Sequence, residues 1–247
     1  MRGLGTVLNV AAVAAGTTIG VLFGSRVPER FRITVMQGIG LLVVALGVTE
    51  TLDTHNAVIL LASILIGGLI GEALRLEDRL AAAGGAIERR VGVAVDPDVP
   101  EHLDGPGVPV VAQPSRFVDG FRLASIVFCV GPLTILGSIQ DGLRHNISLL
   151  ATKSLLDGFA ALAFATTLGW GVAASIVTIV VVQGGITASA ALLDHVLTAR
   201  MVDEMSAVGG LMLVGIGLRL LEIKEVRVAS FLPGLVVAPV LVALFAR

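Results

Sequence analysis

The sequence predicts an all-α, polytopic transmembrane helical bundle of about eight helices, with seven as the other count, and three observations predict it. The first is composition: of 247 residues, 55% are apolar and only 15% charged, against roughly a quarter charged in soluble domains, and the mean hydropathy is +0.94. The second is that the apolar residues form long uncharged runs, at 3–25, 33–49, 54–71, 123–140, 158–193, 205–218 and 228–246. Most approach the roughly 17–25 residues that a helix rising about 1.5 Å per residue needs to cross a bilayer. The third is that these runs are continuous, whereas a membrane β-barrel requires short segments of alternating polarity.

The N-terminal run is too long for a signal-peptide core and reads as the first span, about residues 4–24. Gly16, Gly20 and Gly24 follow at four-residue spacing, leaving one face open to a close helix neighbour. Asn9 lies on the same helix, as an interhelical hydrogen-bonding group or a ligand contact. After a basic loop with Arg26, Arg30 and Arg32, a second span covers about 36–50 and a third about 56–74, where Ser63, Gly67 and Gly71 repeat the small-residue spacing. These make a first triplet, 1–74. Residues 75–122 change character. Leu76, Leu80, Ala83 and Ile87 recur at helical spacing in a charged segment suited to a membrane surface. Pro97, Pro100, Pro106, Pro109 and Pro114 then mark an extended aqueous connection.

A central pair of spans, 123–171, is interrupted by Gly131-Pro132 and a polar hairpin. The run at 158–193 is too long for one span, and Gly169-Trp170-Gly171 is its natural division. Spans at about 172–192, 206–221 and 228–245, the last with Pro233 and Pro239, form a second triplet, 172–247.

The two triplets match at an offset of 170, GLLVVALG at 40–47 falling on GLMLVGIG at 210–217, and Gly16-Thr17-Thr18 falling on Ile186-Thr187-Ala188. Charge is an independent test. If the loop after the first span is cytoplasmic, twelve of the seventeen Lys and Arg residues lie on that side, which the positive-inside rule favours, and both termini lie outside. The triplets then run in opposite directions through the membrane, an inverted repeat of helices 1–3 and 6–8 flanking helices 4–5, as in many secondary transporters.

Lys153 and Asp157 stand i,i+4 on one helical face and can meet. An ionisable pair within a span is either a structural ion pair or a site for a cation, proton or polar solute. Gly131-Pro132 removes a helix hydrogen bond and exposes carbonyls that serve a ligand or packing alone. Gln183 and Thr187, i,i+4 beside Gly184-Gly185, line a pathway or join helices. Glu50, Asp53, Glu72, Gln140, Asp141, Asp203 and Glu204 fall at helix ends, where solvated caps are expected. The single cysteine, Cys129, reads as a packing residue and excludes an internal disulfide. His55, His102, His145 and His195 form no metal spacing, and there is no HExxH, GxSxG or P-loop, so no enzyme, metal or cofactor is expected.

The stretches FCVGPLTILGSIQDGL (128–143), TKSLLDGFAALAFATTLGWG (152–171) and DEMSAVGGLMLVGIGLRLL (203–221), with Gly5, Asn9, Gly16 and Gly20, carry a resemblance. Over nearly its whole length the chain resembles the bacterial membrane-protein family catalogued as domain of unknown function 554. The resemblance implies the bacterial cytoplasmic (inner) membrane and assigns no activity and no catalytic residue. The expected function is a transporter or channel for a small polar solute or ion, its pathway drawn from Asn9, Gly131, Pro132, Lys153, Asp157, Gln183 and Thr187. The alternative is a non-transporting scaffold or sensor using the 75–116 segment. The expected partners are the bilayer, a small solute or ion, and at most a second copy of the chain; nucleic acid is not expected. Transport predicts a polar cavity touching Asp157, and a scaffold predicts Asp157 sealed against Lys153.

Overall fold

The computed structural model of the chain describes residues 2–24, 28–91, 115–129 and 132–245. Among these the elements are α1 (Leu4–Gly24), α2 (Glu29–Leu52), α3 (Ala57–Ala73), α4 (Leu76–Val91), α5 (Arg116–Cys129), α6 (Pro132–Arg144), α7 (Ser148–Leu168), α8 (Gly171–Ala188), α9 (Ala190–Val196), α10 (Ala199–Leu220), a 3-10 turn (Val228–Phe231) and α11 (Gly234–Phe245). No strand occurs among the described residues. Six helical stretches are long and apolar enough to cross a bilayer. Two further pairs qualify only together, α3 with α4, bent by 57°, and α5 with α6, bent by 62°. The all-α polytopic class therefore holds, with six to eight spans.

Local chemistry sets the boundaries. The Asn56 side chain accepts from the amides of Val58 and Ile59 and so starts α3, and Thr198 accepts from Met201 N to start α10. Gly169, at φ +65°, ends α7 inside the long apolar run, where the sequence predicts a division. Two predicted spans are broken instead. The one at 172–192 stops at Ala188, with α9 beyond Ser189, and the one at 228–245 opens with the 3-10 turn. Pro233, which lacks an amide hydrogen, falls just before α11. The second span starts earlier than expected, at Glu29.

Close approaches show how the helices run. α1 and α7 are parallel, with Gly5 against Leu150 and Gly24 against Thr166. α2 and α10 are antiparallel, with Gly47 against Gly210 and Gly40 against Gly217. One end of the bundle, the N-face, thus holds the start of α1, the α6–α7 turn and the end of α8. Large apolar side chains such as Leu22, Leu41, Leu69, Val181 and Phe245 are exposed around the outside, as a lipid-facing surface requires. Val13, Phe128, Phe164, Ile179 and Met212 fill the centre.

The small-residue seam of α1 is used as its spacing predicts. A Cβ at Gly16 would stand 2.1 Å from Gly158 O and one at Gly20 2.3 Å from Leu162 O, so only glycine allows this α1–α7 approach. Gly16→Ala is expected to lower stability by about 1–3 kcal/mol, the usual cost of overpacking. Gly38→Ala, with nothing within 4 Å of the added carbon, should be neutral or slightly stabilising. Thermal unfolding of the two variants in detergent checks this.

The charged segment after α3 does not only lie on a surface. α4 packs on α5, with Leu76, Leu80 and Ile87 partly covered as the spacing predicts, but Ala83 is exposed and Glu77 and Gly84 are buried. The proline-rich connection predicted after it lies outside the described residues.

Candidate functional site

Pro132 explains the first feature of the site. In a continuous helix the carbonyl of Phe128 would accept from the amide of residue 132, but proline has none. The side-chain Nζ of Lys153, on α7, donates to that carbonyl at 2.7 Å, and Thr134 Oγ1 donates to it at 3.4 Å. Lys153 also bonds Asp157 Oδ2, one turn further along α7. Both side chains are buried. The exposed carbonyl predicted from Gly131-Pro132 is therefore spoken for by the predicted lysine; Gly131 itself lies outside the described residues.

The second feature joins three helices. Asn9 Nδ2, on α1, donates to Asp157 Oδ2 at 3.0 Å and to Gln183 Oε1, on α8, at 3.1 Å. Four residues named from sequence, Asn9, Lys153, Asp157 and Gln183, thus form one hydrogen-bonded unit between α1, α7 and α8. Asp157 stands about 14 Å along α7 from its start, and Asn9 and Gln183 about 8 Å from the N-face ends of their helices, at 1.5 Å per residue. The unit lies inside the bundle rather than at its rim.

The unit is incompletely satisfied. Asn9 Oδ1 and Gln183 Nε2 are buried without a hydrogen-bond partner, as are the hydroxyls of Thr6 and Thr187, one helical turn nearer the N-face on α1 and α8. Buried polar groups are ordinarily paired, and these four unpartnered atoms lie on α1 and α8. Thr6 and Thr187 also line an open, largely apolar cavity of about 520 Å³ on the outside of α1 and α8, together with Arg2, Val10, Gly184 and the exposed Val7 and Val180. Asp157, Asn9 and Gln183 are not among its lining residues.

Two acids expected to be solvated caps are in fact buried. Asp141 has no exposed surface and accepts from the amide of Gly5, at the start of α1, at 3.0 Å. Glu204 is also buried and accepts from Thr54 Oγ1 and from the amides of His55 and Asn56, at 2.8–2.9 Å, capping the turn before α3. Each sits near its own helix end, but a neighbouring helix start or turn supplies the donors, which a one-dimensional reading does not register. Thr17, on α1, is likewise buried with its hydroxyl unpartnered.

A charged cluster lies at the opposite end. Glu77 of α4 bonds Arg122 of α5 and accepts from Ala229 N at 3.0 Å; Arg219 of α10 bonds Asp119 at 2.7 Å. It ties α4, α5, α10 and the 3-10 turn together. No group of three His, Cys, Asp or Glu side chains suited to a metal ion occurs among the described residues.

Comparison with known proteins gives the family. The family model described as "Protein of unknown function (DUF554)" matches residues 4–243. The "Uncharacterized membrane protein YdfK" of Bacillus subtilis (strain 168) is 28% identical over 242 residues, covering 96% of this chain and 95% of that protein. The "Uncharacterized protein YqgA" of Escherichia coli (strain K12) is 30% identical over 237 residues, covering 95% and 94%. No solved structure matches. With a match that runs from the first turn of α1 to the last of α11, the chain belongs to the DUF554 family of membrane proteins.

Proposed function

We propose that this protein is a non-enzymatic transporter or channel of the bacterial cytoplasmic membrane for a small polar solute or ion, with its N-face outside. The observation that carries the reading is the stripe of orphaned polar atoms, Thr6, Thr187, Asn9 and Gln183, descending from a cavity to a buried charged pair. A membrane interior makes such groups costly, and a passenger that completes their bonds relieves that cost. In this reading Asn9 and Gln183 form the gate, and Lys153 and Asp157 the charged floor beneath it.

The antiparallel contact of α2 with α10 is compatible with the inverted repeat on which alternating access would rest, as any antiparallel pair would be. At an offset of 170, Gly40 corresponds to Gly210 and Gly47 to Gly217. The approach of Gly47 to Gly210 is then the counterpart of the approach of Gly217 to Gly40, and both occur. Thr17 corresponds to Thr187, and both hydroxyls are buried without partners. Thr187 would line the outer vestibule and Thr17 the inner one.

The scaffold reading has one observation in its favour, that Asp157 is bonded to Lys153 and Asn9 and does not line the cavity. Cysteine labelling separates the two. In a Cys129→Ala background, Thr187→Cys is expected to react with a membrane-impermeant maleimide from outside, and Thr17→Cys from inside, each at least several-fold faster than from the other face. If neither is labelled from either side, there is no aqueous pathway and the scaffold reading stands.

A further inference from the structure

Asp141 is a second buried carboxylate of the spans, and it differs from Asp157 in having no ion pair among the described residues. Its neighbours offer little buried positive charge, and Arg2, three residues before Gly5, is exposed. α1 and α8 carry no charged side chain within their helical bounds, and the ionisable pair of α7, Lys153 and Asp157, is bonded to itself. Arg144, on its own helix, is exposed, as are Asp194 and His195 of α9. Glu204 of α10 is engaged in capping. The hydrogen-bond partner of Asp141 among the described residues is the Gly5 amide, at the start of α1, where the helix dipole supplies a fraction of a positive charge. The last turn of α6, on which Asp141 itself stands, supplies a fraction of a negative one.

Three buried oxygens on the two segments that the Gly5–Asp141 bond joins are without partners. Asp141 Oδ1 is buried with no partner. So is Ser138 Oγ, one turn earlier on the same buried side of α6, and so is Thr6 Oγ1, on the residue that follows Gly5. Ser138 and Asp141 make no hydrogen bond to each other, so a proton on Oδ1 would leave the serine hydroxyl as orphaned as before. A small hard cation behaves differently, since it draws several oxygens that do not touch one another and adds the charge that is missing.

We propose that Asp141 Oδ1, Ser138 Oγ and Thr6 Oγ1 form a binding site for an alkali cation of sodium size. The ion neutralises Asp141 and fastens the start of α1 to the end of α6. Because α1 carries Asn9 and one wall of the cavity, occupancy of this site sets the position of the gate. As a coupling ion the cation rests on the transport reading; as a bound ion it stands on the geometry alone.

Thermal unfolding of the purified full-length protein in detergent tests it, at fixed pH and ionic strength, with sodium exchanged for potassium or choline. The expected result is a saturable rise in midpoint with sodium, smaller with potassium and absent with choline. Ser138→Ala should shift the half-saturating sodium concentration upward about tenfold. Asp141→Asn should abolish the sodium-dependent part; should that variant fail to fold, Ser138→Ala carries the test alone. Equal midpoints in the three salts overturn the proposal, as does an unchanged sodium response in Ser138→Ala. Stabilisation by acid in choline without any sodium response also overturns it, in favour of a protonated carboxyl. A sodium response in a protein whose Thr17 and Thr187 positions never label keeps the ion site and removes the transport reading; labelling without a sodium response does the reverse.

Discussion

Lys153→Met is expected to cost the protein about 3–5 kcal/mol, the usual penalty for removing one partner of a buried ion pair, and so to lower its yield and unfolding midpoint sharply. The methionine fills most of the lysine's volume, so lost packing contributes little. What it leaves behind is expensive: the Asp157 carboxylate, buried and retaining only the Asn9 amide, and the Phe128 carbonyl, left with only the long bond from Thr134 Oγ1. Asp157→Asn should cost less, because the amide still accepts from Asn9 and from the lysine, although the lysine's charge is then unbalanced.

The double variant Lys153→Met/Asp157→Leu separates structure from function. With both charges gone, most of the lost stability should return, since an apolar pair in place of a buried ion pair is often neutral or stabilising. A pair that only holds α7 in place would then leave maleimide access at Thr187→Cys and Thr17→Cys unchanged. If Lys153 and Asp157 form the floor of a pathway, the double variant should be stable and labelled at Thr187→Cys but not at Thr17→Cys. A double variant no more stable than Lys153→Met would show instead that the bonds of Lys153 to the Phe128 carbonyl and of Asp157 to Asn9 outweigh the pair itself.

Much of this site was legible in the sequence, and the parts that were not share a cause. The meeting of Lys153 with Asp157 follows from i,i+4 spacing, and the orphaned carbonyl follows from Pro132; both are local rules. That Asn9 bridges Asp157 and Gln183 is a fact about three helices. Spacing within any one of them says only that each residue is polar and misplaced. Asp141 and Glu204 read as solvated because helix ends usually are, yet the start of α1 covers one and the turn before α3 covers the other. The same limit applies to α4. Its apolar spacing correctly marks Leu76, Leu80 and Ile87, but Glu77 lies on the buried side because Arg122 waits there, 45 positions away in the chain.

Arg122→Met is the counterpart at the other end of the bundle, and it is expected to be destabilising by a similar amount, about 3–5 kcal/mol. Glu77 would be left buried with the Ala229 amide as its remaining donor. Because Glu77 and Arg122 connect α4 to α5, and Arg219 connects α5 to α10 through Asp119, the loss should fall on the docking of α4. The core pairs α1–α7 and α2–α10 make no use of these charges and should stay folded. In the transport reading this cluster is what closes the inner end while the cavity stands open at the N-face. The milder Glu77→Gln keeps the side chain's volume and still accepts from the Ala229 amide while weakening the bond to Arg122, so it should raise labelling of Thr17→Cys from inside several-fold without unfolding the protein. The exchanged pair Glu77→Arg/Arg122→Glu should recover part of that closure, though not all, because Glu at 122 would then face Asp119 at close range. If Glu77→Gln leaves Thr17→Cys labelling untouched while still lowering the unfolding midpoint, the cluster is an anchor for α4 and the inner closure must be sought elsewhere.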